Sequence, residues 1–254
     1  MSWILHDKAI NPVKNGADLL LASNVFAHAD DLKLMAESMK GLLKPDGIIV
    51  IEVQYLLKTI NDLTFDNIYH EHTNYWSLTS LNTFFNKLEL KIFDVEEINT
   101  HGGSIRVYVS QEKNIKIESS VFKMLKKEEK FGLKKISTYL EFGKKVEKLR
   151  NKVLKNITNL KKKYTTLIGY GAPAKATTAL NYFNIKKELK FIIEDNQLKH
   201  GKFIPGVKIP VVSKKKIKSN KNPIVVLAWN FFNEIKKNNI KLSNKFINIK
   251  SLEK

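Results

Sequence analysis

The chain has 254 residues, 43% of them hydrophobic, no cysteine, and a formal net charge of +19. That length allows one large or two smaller cores, and the lack of cysteine excludes disulfides, thiolate metal sites and thiol nucleophiles within it. The positive charge sits in lysine runs such as Lys161–Lys163 and Lys214–Lys216, with Arg106 and Arg150 the only arginines, which reads as solvated faces and predicts no specific nucleic-acid partner.

In chain order, ADLLLAS (17–23) is a short apolar run that reads as a buried parallel strand. Leu32, Met35, Met39 and Leu42 recur at helical spacing, and KPDG (44–47) has turn chemistry that stops that helix. IIVIEV (48–53) is a second buried strand, so strand, helix and strand make a βαβ unit. Leu78, Leu81, Phe84 or Phe85, and Leu88 give a helix over 77–90. KIFDVEEI (91–98) and SIRVYVS (104–110), split by NTHGG, predict adjacent antiparallel strands closing a mostly parallel sheet. Residues 119–163 carry helical periodicity, with Val121, Leu125, Leu133, Ile136 and Leu140 as the apolar stripe. A second α/β pattern follows: TTLIGYG (165–171), APAKATTALNYF (172–183), LKFIIED (189–195), PIVVLAW (223–229) and KFINI (245–249). No run approaches the roughly 18 apolar residues of a membrane span, and MSWILHDKAINP lacks the parts of a secretory leader. A soluble cytoplasmic protein with no membrane partner is expected.

In open α/β sheets ligands sit beyond the carboxyl ends of strands. That rule singles out Asn24 and His28 after the first strand, and Glu52 and Tyr55 at the end of the second. IYHEH (68–72) gathers two histidines, a glutamate and a tyrosine. In an extended segment His70 and His72 would share one side, with Tyr69 and Glu71 on the other. Three readings compete there. A metal site would need further ligands from His28, His101 or carboxylates. A proton-transfer site would use an imidazole that titrates near working pH. The third reading is a satisfied polar loop.

In HGGS (101–104) the paired glycines let a backbone approach a ligand, or simply make a tight turn. GYGAP (169–173) is a glycine turn from strand to helix, where amides can receive phosphate. It lacks the third glycine of the dinucleotide fingerprint, so a nicotinamide-dependent oxidoreductase needs more than this sequence offers. Glu194–Asp195 stand where a ribose-binding carboxylate is expected. Lys175 is placed to pair with phosphate or to be solvated, and Trp229 and Asn230 to hold a ring or to begin a helix.

Taken together, NVFAHADDL (24–32), LLKPDGIIVIEVQYL (42–56), FDNIYHEHTNYWSL (65–78), DVEEINTHGGSIRVYV (94–109), IGYGAPAK (168–175), IEDNQLKHGKFIPGVKIPV (193–211) and VLAWNFFNEI (226–235) resemble the deoxysugar C-methyltransferases. The resemblance runs from about residue 16 to the C-terminus. It implies transfer of a methyl group from S-adenosylmethionine to a ring carbon beside the ketone of a nucleotide-linked 4-keto-deoxysugar. It also implies His72 as the base that makes the enolate, with Tyr69 and Glu71 assisting, His28 near the reacting sugar, and Asn24 by the cofactor. His101, Gly102, Tyr170, Gly171, Lys175, Trp229 and Asn230 would hold the nucleotide sugar.

The family carries a cysteine-built zinc module and a glycine-rich cofactor loop, and neither is found in this sequence. Smaller departures are Gln54, where the family tends to have proline, and Ala176–Thr177, where it tends to have glycine and asparagine. The chain therefore resembles the C-terminal two-thirds of such an enzyme, with an incomplete S-adenosylmethionine cleft and no metal site of its own. It would be a fragment, or one chain of a split enzyme completed by a second chain. The alternative is a non-catalytic nucleotide-sugar-binding remnant. The implied fold class is α/β: the C-terminal part of a Rossmann-like class I methyltransferase sheet over 1–118, a helical connector over 119–163, and a second Rossmann-like domain over 164–254.

Overall fold

A computed structural model describes residues 16–100, 102–217, 222–243 and 245–253. Contacts divide the chain into two units. One takes in the described residues up to Thr64 and from His70 to Leu140; the other comprises Phe65–Tyr69 and the described residues from Glu141 onward. Both are mixed α and β, as the α/β reading requires.

In the first unit β1 (Ala17–Ser23) runs parallel to β2 (Leu43–Gln54) through helix α1 (Leu32–Leu42). Asp31 starts that helix by accepting the Leu34 N–H at 2.9 Å, an N-cap bond that satisfies one orphan donor. The strand order is β1-β2-β4-β3, with β3 (Lys91–Ile98) and β4 (Ser104–Ser110) antiparallel to each other and β4 antiparallel to β2. Ile49, Ile51 and Val53 alternate with half-buried residues along β2, so one sheet face is the core face. Ile105, Val107 and Val109 continue that face on β4, and Leu78, Leu81 and Phe85 of α3 (Leu78–Asn86) are buried with them. After the short helix α2 (Leu56–Asn61), α3 opens with a Ser77/Ser80 capping box.

The carboxylate of the fully buried Glu128, on α4 (Ser119–Phe131), accepts the N–H groups of Leu78 and Thr79 at 2.6 and 2.8 Å. A buried charge is tolerated there because the helix N-terminus offers orphan donors and positive dipole together.

Three expectations need correction. β1 is a parallel strand, but it lies at a sheet edge, leaving Leu19 53% and Leu21 70% exposed. Residues 44–47 are part of β2 rather than a turn: Ala17 pairs with Leu43 and Leu19 with Ile48, so the extra residues are absorbed as a register shift. The helical stretch breaks at Gly132, whose φ of 86° closes α4 in the left-handed conformation. Beyond the break, Ile136 and Leu140 are exposed at the start of α5 (Ile136–Lys163), and its buried stripe is Val146, Leu149, Val153 and Ile157.

The second unit holds a five-stranded, wholly parallel sheet of order β7-β6-β5-β8-β9. The strands are β5 (Leu167–Tyr170), β6 (Leu189–Ile193), β7 (Val211–Val212), β8 (Ile224–Val226) and β9 (Phe246–Asn248). Helices α6 (Ala174–Phe183) and α7 (Phe232–Asn238) follow β5 and β8. The order reverses between β5 and β8, which is the switch point where doubly wound sheets open a crevice. Ile168, Tyr170, Ile193, Ile224 and Val226 form a core cluster. Among the described residues no helix is long and apolar enough to cross a membrane.

Candidate active site

At the carboxyl end of β1 the chain turns on Asn24, whose φ of 55° is left-handed and suits asparagine better than most side chains. Its amide donates to the Glu52 carbonyl at 3.0 Å, and its side-chain amide donates to Ser23 Oγ at 3.3 Å. The turn leads into a 3-10 turn, Phe26–His28. The fully buried Phe26 packs against Phe85, Trp76 and Phe84, with ring centroids 5.7, 5.8 and 5.9 Å apart. Trp76 is tied in turn to the end of β2, its carbonyl accepting the Leu56 N–H at 2.8 Å. Apolar packing thus fixes the loop after β1 beside the segment that carries YHEH.

Polar contacts then set that register. Thr73 Oγ1 donates to the Ala27 carbonyl at 3.2 Å, and His28 Nδ1 lies 2.7 Å from the Glu71 carbonyl. A carbonyl only accepts, so Nδ1 of His28 carries the proton. The His28 and His72 rings sit 4.8 Å apart, centroid to centroid, at 61°. His72 is 8% exposed, while the side chain of His70 is 85% exposed and that of Glu71 59%.

The two histidines therefore do not share a side. A turn at 70–71 breaks the alternation expected of an extended segment and buries His72 alone. Glu71 reaches His28 through its backbone, and its carboxylate lies 3.9 Å from His70 Nε2. Tyr69 is half-buried, and by its contacts it is grouped with the second unit. Among the described residues no group of three or more His, Asp or Glu is placed to hold a metal ion.

Glu52 is committed to a polar row across the half-buried sheet face. It accepts from Ser23 Oγ and Arg106 Nε, both at 2.7 Å, and Arg106 continues to Glu96 at 2.8 Å. Tyr108 O–H also donates to Glu96, and these two donors hold that carboxyl below its ordinary pKa. The strand ends of this unit are thus Ser23–Asn24, tied to Glu52, and the fully buried Tyr55. Neither strand end is a glycine turn.

In the second unit Gly171 turns from β5 toward α6 with φ of 88°, and a Cβ added there would lie 2.7 Å from that of Ala228. Only glycine fits this close approach without strain. Beyond it lies a crevice of about 410 Å³ lined by Tyr170, Gly171, Asp195, Lys214, Phe231 and Asn239, among others. Tyr170 O–H donates to Asp195 at 2.8 Å, and burial, followed by that carboxylate, pushes the phenol's pKa up. Glu194 accepts the Ala172 N–H at 2.7 Å, so the protein's own carboxylate takes a donor that a phosphate would otherwise use.

Of the residues expected to bind substrate, Tyr170 and Gly171 line this crevice. Asn230 is exposed in the 3-10 turn Trp229–Phe231. Gly102, with φ of 92°, lies in the β3–β4 turn, and His101 lies outside the described residues.

Lys175 and Trp229 sit elsewhere in this unit, beside a residue the sequence reading did not single out. Trp229 Nε1 donates to Asp66 at 2.6 Å, and the Lys175 and Lys250 ammoniums lie 5.5 and 5.3 Å from the indole centroid. Asp66 is 3% exposed. Burial lowers the Lys175 pKa, and the Asp66 charge opposes that shift. The only hint in the sequence was an acid within an aromatic run, FDNIY, because its partner is 163 positions away.

Two comparisons bear on what this arrangement does. The sequence profile of the C-methyltransferase C-terminal domain matches residues 99–248. The chain is also 33% identical, over 222 residues, to the C-methyltransferase NovU of Streptomyces niveus. That alignment covers 86% of this chain and 53% of the relative, so the chain spans about half the length of the curated protein it matches.

Proposed function

Because the chain belongs to the C-methyltransferase family, we propose that it is the carbon-activating part of a methyltransferase acting on a nucleotide-linked 4-keto-deoxysugar. The observation that carries this reading is the buried His72 imidazole against His28, at the carboxyl end of the first unit's parallel strands. A hydrogen on the carbon beside a ketone is weakly acidic, and a positioned imidazole is a suitable base for it at neutral pH. His72 takes that proton, and the C–H electron pair moves into the ketone to give an enolate. His28, with its Nδ1–H spent on the Glu71 carbonyl, presents its other nitrogen toward the reacting group. S-adenosylmethionine, when bound, supplies the sulfonium methyl that the enolate carbon takes. Tyr170 and Gly171 of the second unit contribute to nucleotide-sugar binding.

The methyl-donor side is completed, in this proposal, by polypeptide beyond the described residues, whether more of a longer chain or a second one. The open edge of β1, with Leu19 and Leu21 exposed, supports this, because parallel strands of such composition are ordinarily covered on both sides. The second reading is a non-catalytic nucleotide-sugar-binding protein, favoured by the lack of a glycine turn at the ends of β1 and β2. Solvent-deuterium exchange separates the two. With nucleoside-diphosphate-linked 4-keto-deoxyhexoses in D₂O, NMR should show deuterium entering the carbon beside the ketone. His72→Asn should slow it by about 10²-fold or more. Binding without exchange supports the second reading, and exchange indifferent to His72 removes the base.

A further inference from the structure

The turn after β5 has the shape of a phosphate-binding turn, but its amides are already committed. Gly171 N–H donates to the Ile193 carbonyl at 2.8 Å, Ala172 N–H to Glu194 Oε2 at 2.7 Å, and residue 173 is a proline. Glu194 Oε1 also accepts the Asn196 N–H at 3.0 Å, so that carboxylate is fixed from both sides. Anion sites at such turns depend on open backbone donors, and positions 171–173 have none to give. The cations of the crevice are engaged as well. Lys199 Nζ donates to the Ala172 carbonyl at 2.8 Å, and Lys214 Nζ lies 3.2 Å from Asp195 Oδ1. With Glu194, Asp195 and Glu234 facing those two lysines, the lining repels a diphosphate rather than gathering it.

The opposite chemistry remains. Asp195 follows the end of β6, beside β5, where doubly wound sheets hold ribose hydroxyls on a carboxylate. Its Oδ2 takes the Tyr170 O–H at 2.8 Å, and with Lys214 this fixes the carboxylate's orientation. A carboxylate has about four acceptor positions, and the Asp195 side chain is 56% exposed, so acceptors are left for two hydroxyls. Phe231 is 59% exposed and lines the same crevice. An open aromatic face beside hydroxyl acceptors suits a flat ring. The volume of about 410 Å³ is ordinary for a small-ligand cleft.

We propose that the crevice at the β5–β8 switch point is a ribonucleoside subsite. Asp195 accepts the 2′ and 3′ hydroxyls of the ribose, Phe231 stacks on the base, and the phosphates lie outside. This rests on the nucleotide-sugar reading above and adds which end of that ligand the second unit holds. Every residue involved belongs to that unit.

The test is saturation-transfer NMR on the full chain, with uridine and adenosine as probes and their 2′,3′-dideoxy counterparts as controls. At least one ribonucleoside should bind about tenfold or more tighter than its dideoxy form, as a site built to accept hydroxyls requires. Inorganic pyrophosphate in excess should not displace it. Asp195→Asn should remove most of that preference, leaving the dideoxy form within about twofold of its wild-type affinity. Phe231→Ala should weaken both forms by about tenfold. An Asp195→Asn variant that keeps the full preference overturns the proposal. If a variant does not fold, wild type still decides. Indifference to the hydroxyls, displacement by pyrophosphate, or free ribose binding as tightly as the nucleoside each overturns it. Nucleoside binding without deuterium exchange keeps the subsite and removes the base; exchange without nucleoside binding does the reverse.

Discussion

Strands β1 and β5 are both short apolar runs, and both lead through a turn to a helical segment, yet one is open and the other sealed. β5 lies between β6 and β8, and every residue from Leu167 to Tyr170 is buried. Among the described residues β1 pairs with β2 alone, and Leu21 is 70% exposed. A strand's composition states how many neighbours it suits; its position in the sheet decides how many it has. In the second unit β5 is a central strand, and in the first β1 is, among the described residues, an edge strand.

Four measurements break or sharpen that contrast. Ile193→Ala, at a fully buried β6 position beside β5, should cost about 3 kcal/mol in urea unfolding, as a large-to-small core change does. Glu128→Gln, which weakens the charged acceptor at the start of α3, should cost about 2 kcal/mol and leave the second unit's transition unmoved. Gly171→Ala meets both a φ of 88° and the Ala228 contact, and should cost about 1–2 kcal/mol. Leu21→Ala should fall within about 0.5 kcal/mol of wild type. A large loss there would mean the β1 edge is covered in solution.

A pH series adds a direction. Burial lowers the Lys175 pKa in the folded state, so below the ordinary lysine value of about 10.4 the unfolded chain holds that proton more tightly. Stability contributed by this group therefore rises with pH between the folded and unfolded pKa values and is lost as pH falls through the folded one. Comparing wild type with Lys175→Met in alkaline unfolding should show that slope vanish.

Much of the architecture was legible because it depends on local signals. IIVIEV carries its strand in composition alone, and the Leu78, Leu81, Phe85 spacing its helix. GYGAP announced the turn after β5. The Gly132 break was also readable, as glycine after a helical run, but the lysine-rich periodicity on both sides masked it. The β1 edge was not legible, since burial depends on strands that local sequence does not specify. Around the candidate site the four residues of YHEH were evident, but their directions were not. A turn at 70–71 replaced the expected alternation, so only His72 is buried. Asp66 escaped notice because its meaning comes from Trp229, far along the chain.

The central claim is that His72 faces the carbon to be deprotonated. A crystal structure of the chain with a nucleoside-diphosphate-linked 4-keto-deoxyhexose tests it most directly. The account predicts the carbon beside the ketone within about 3.5 Å of a ring nitrogen of His72, with His28 in contact with the same sugar. A sugar bound away from both rings, or met only by the exposed His70, would contradict it.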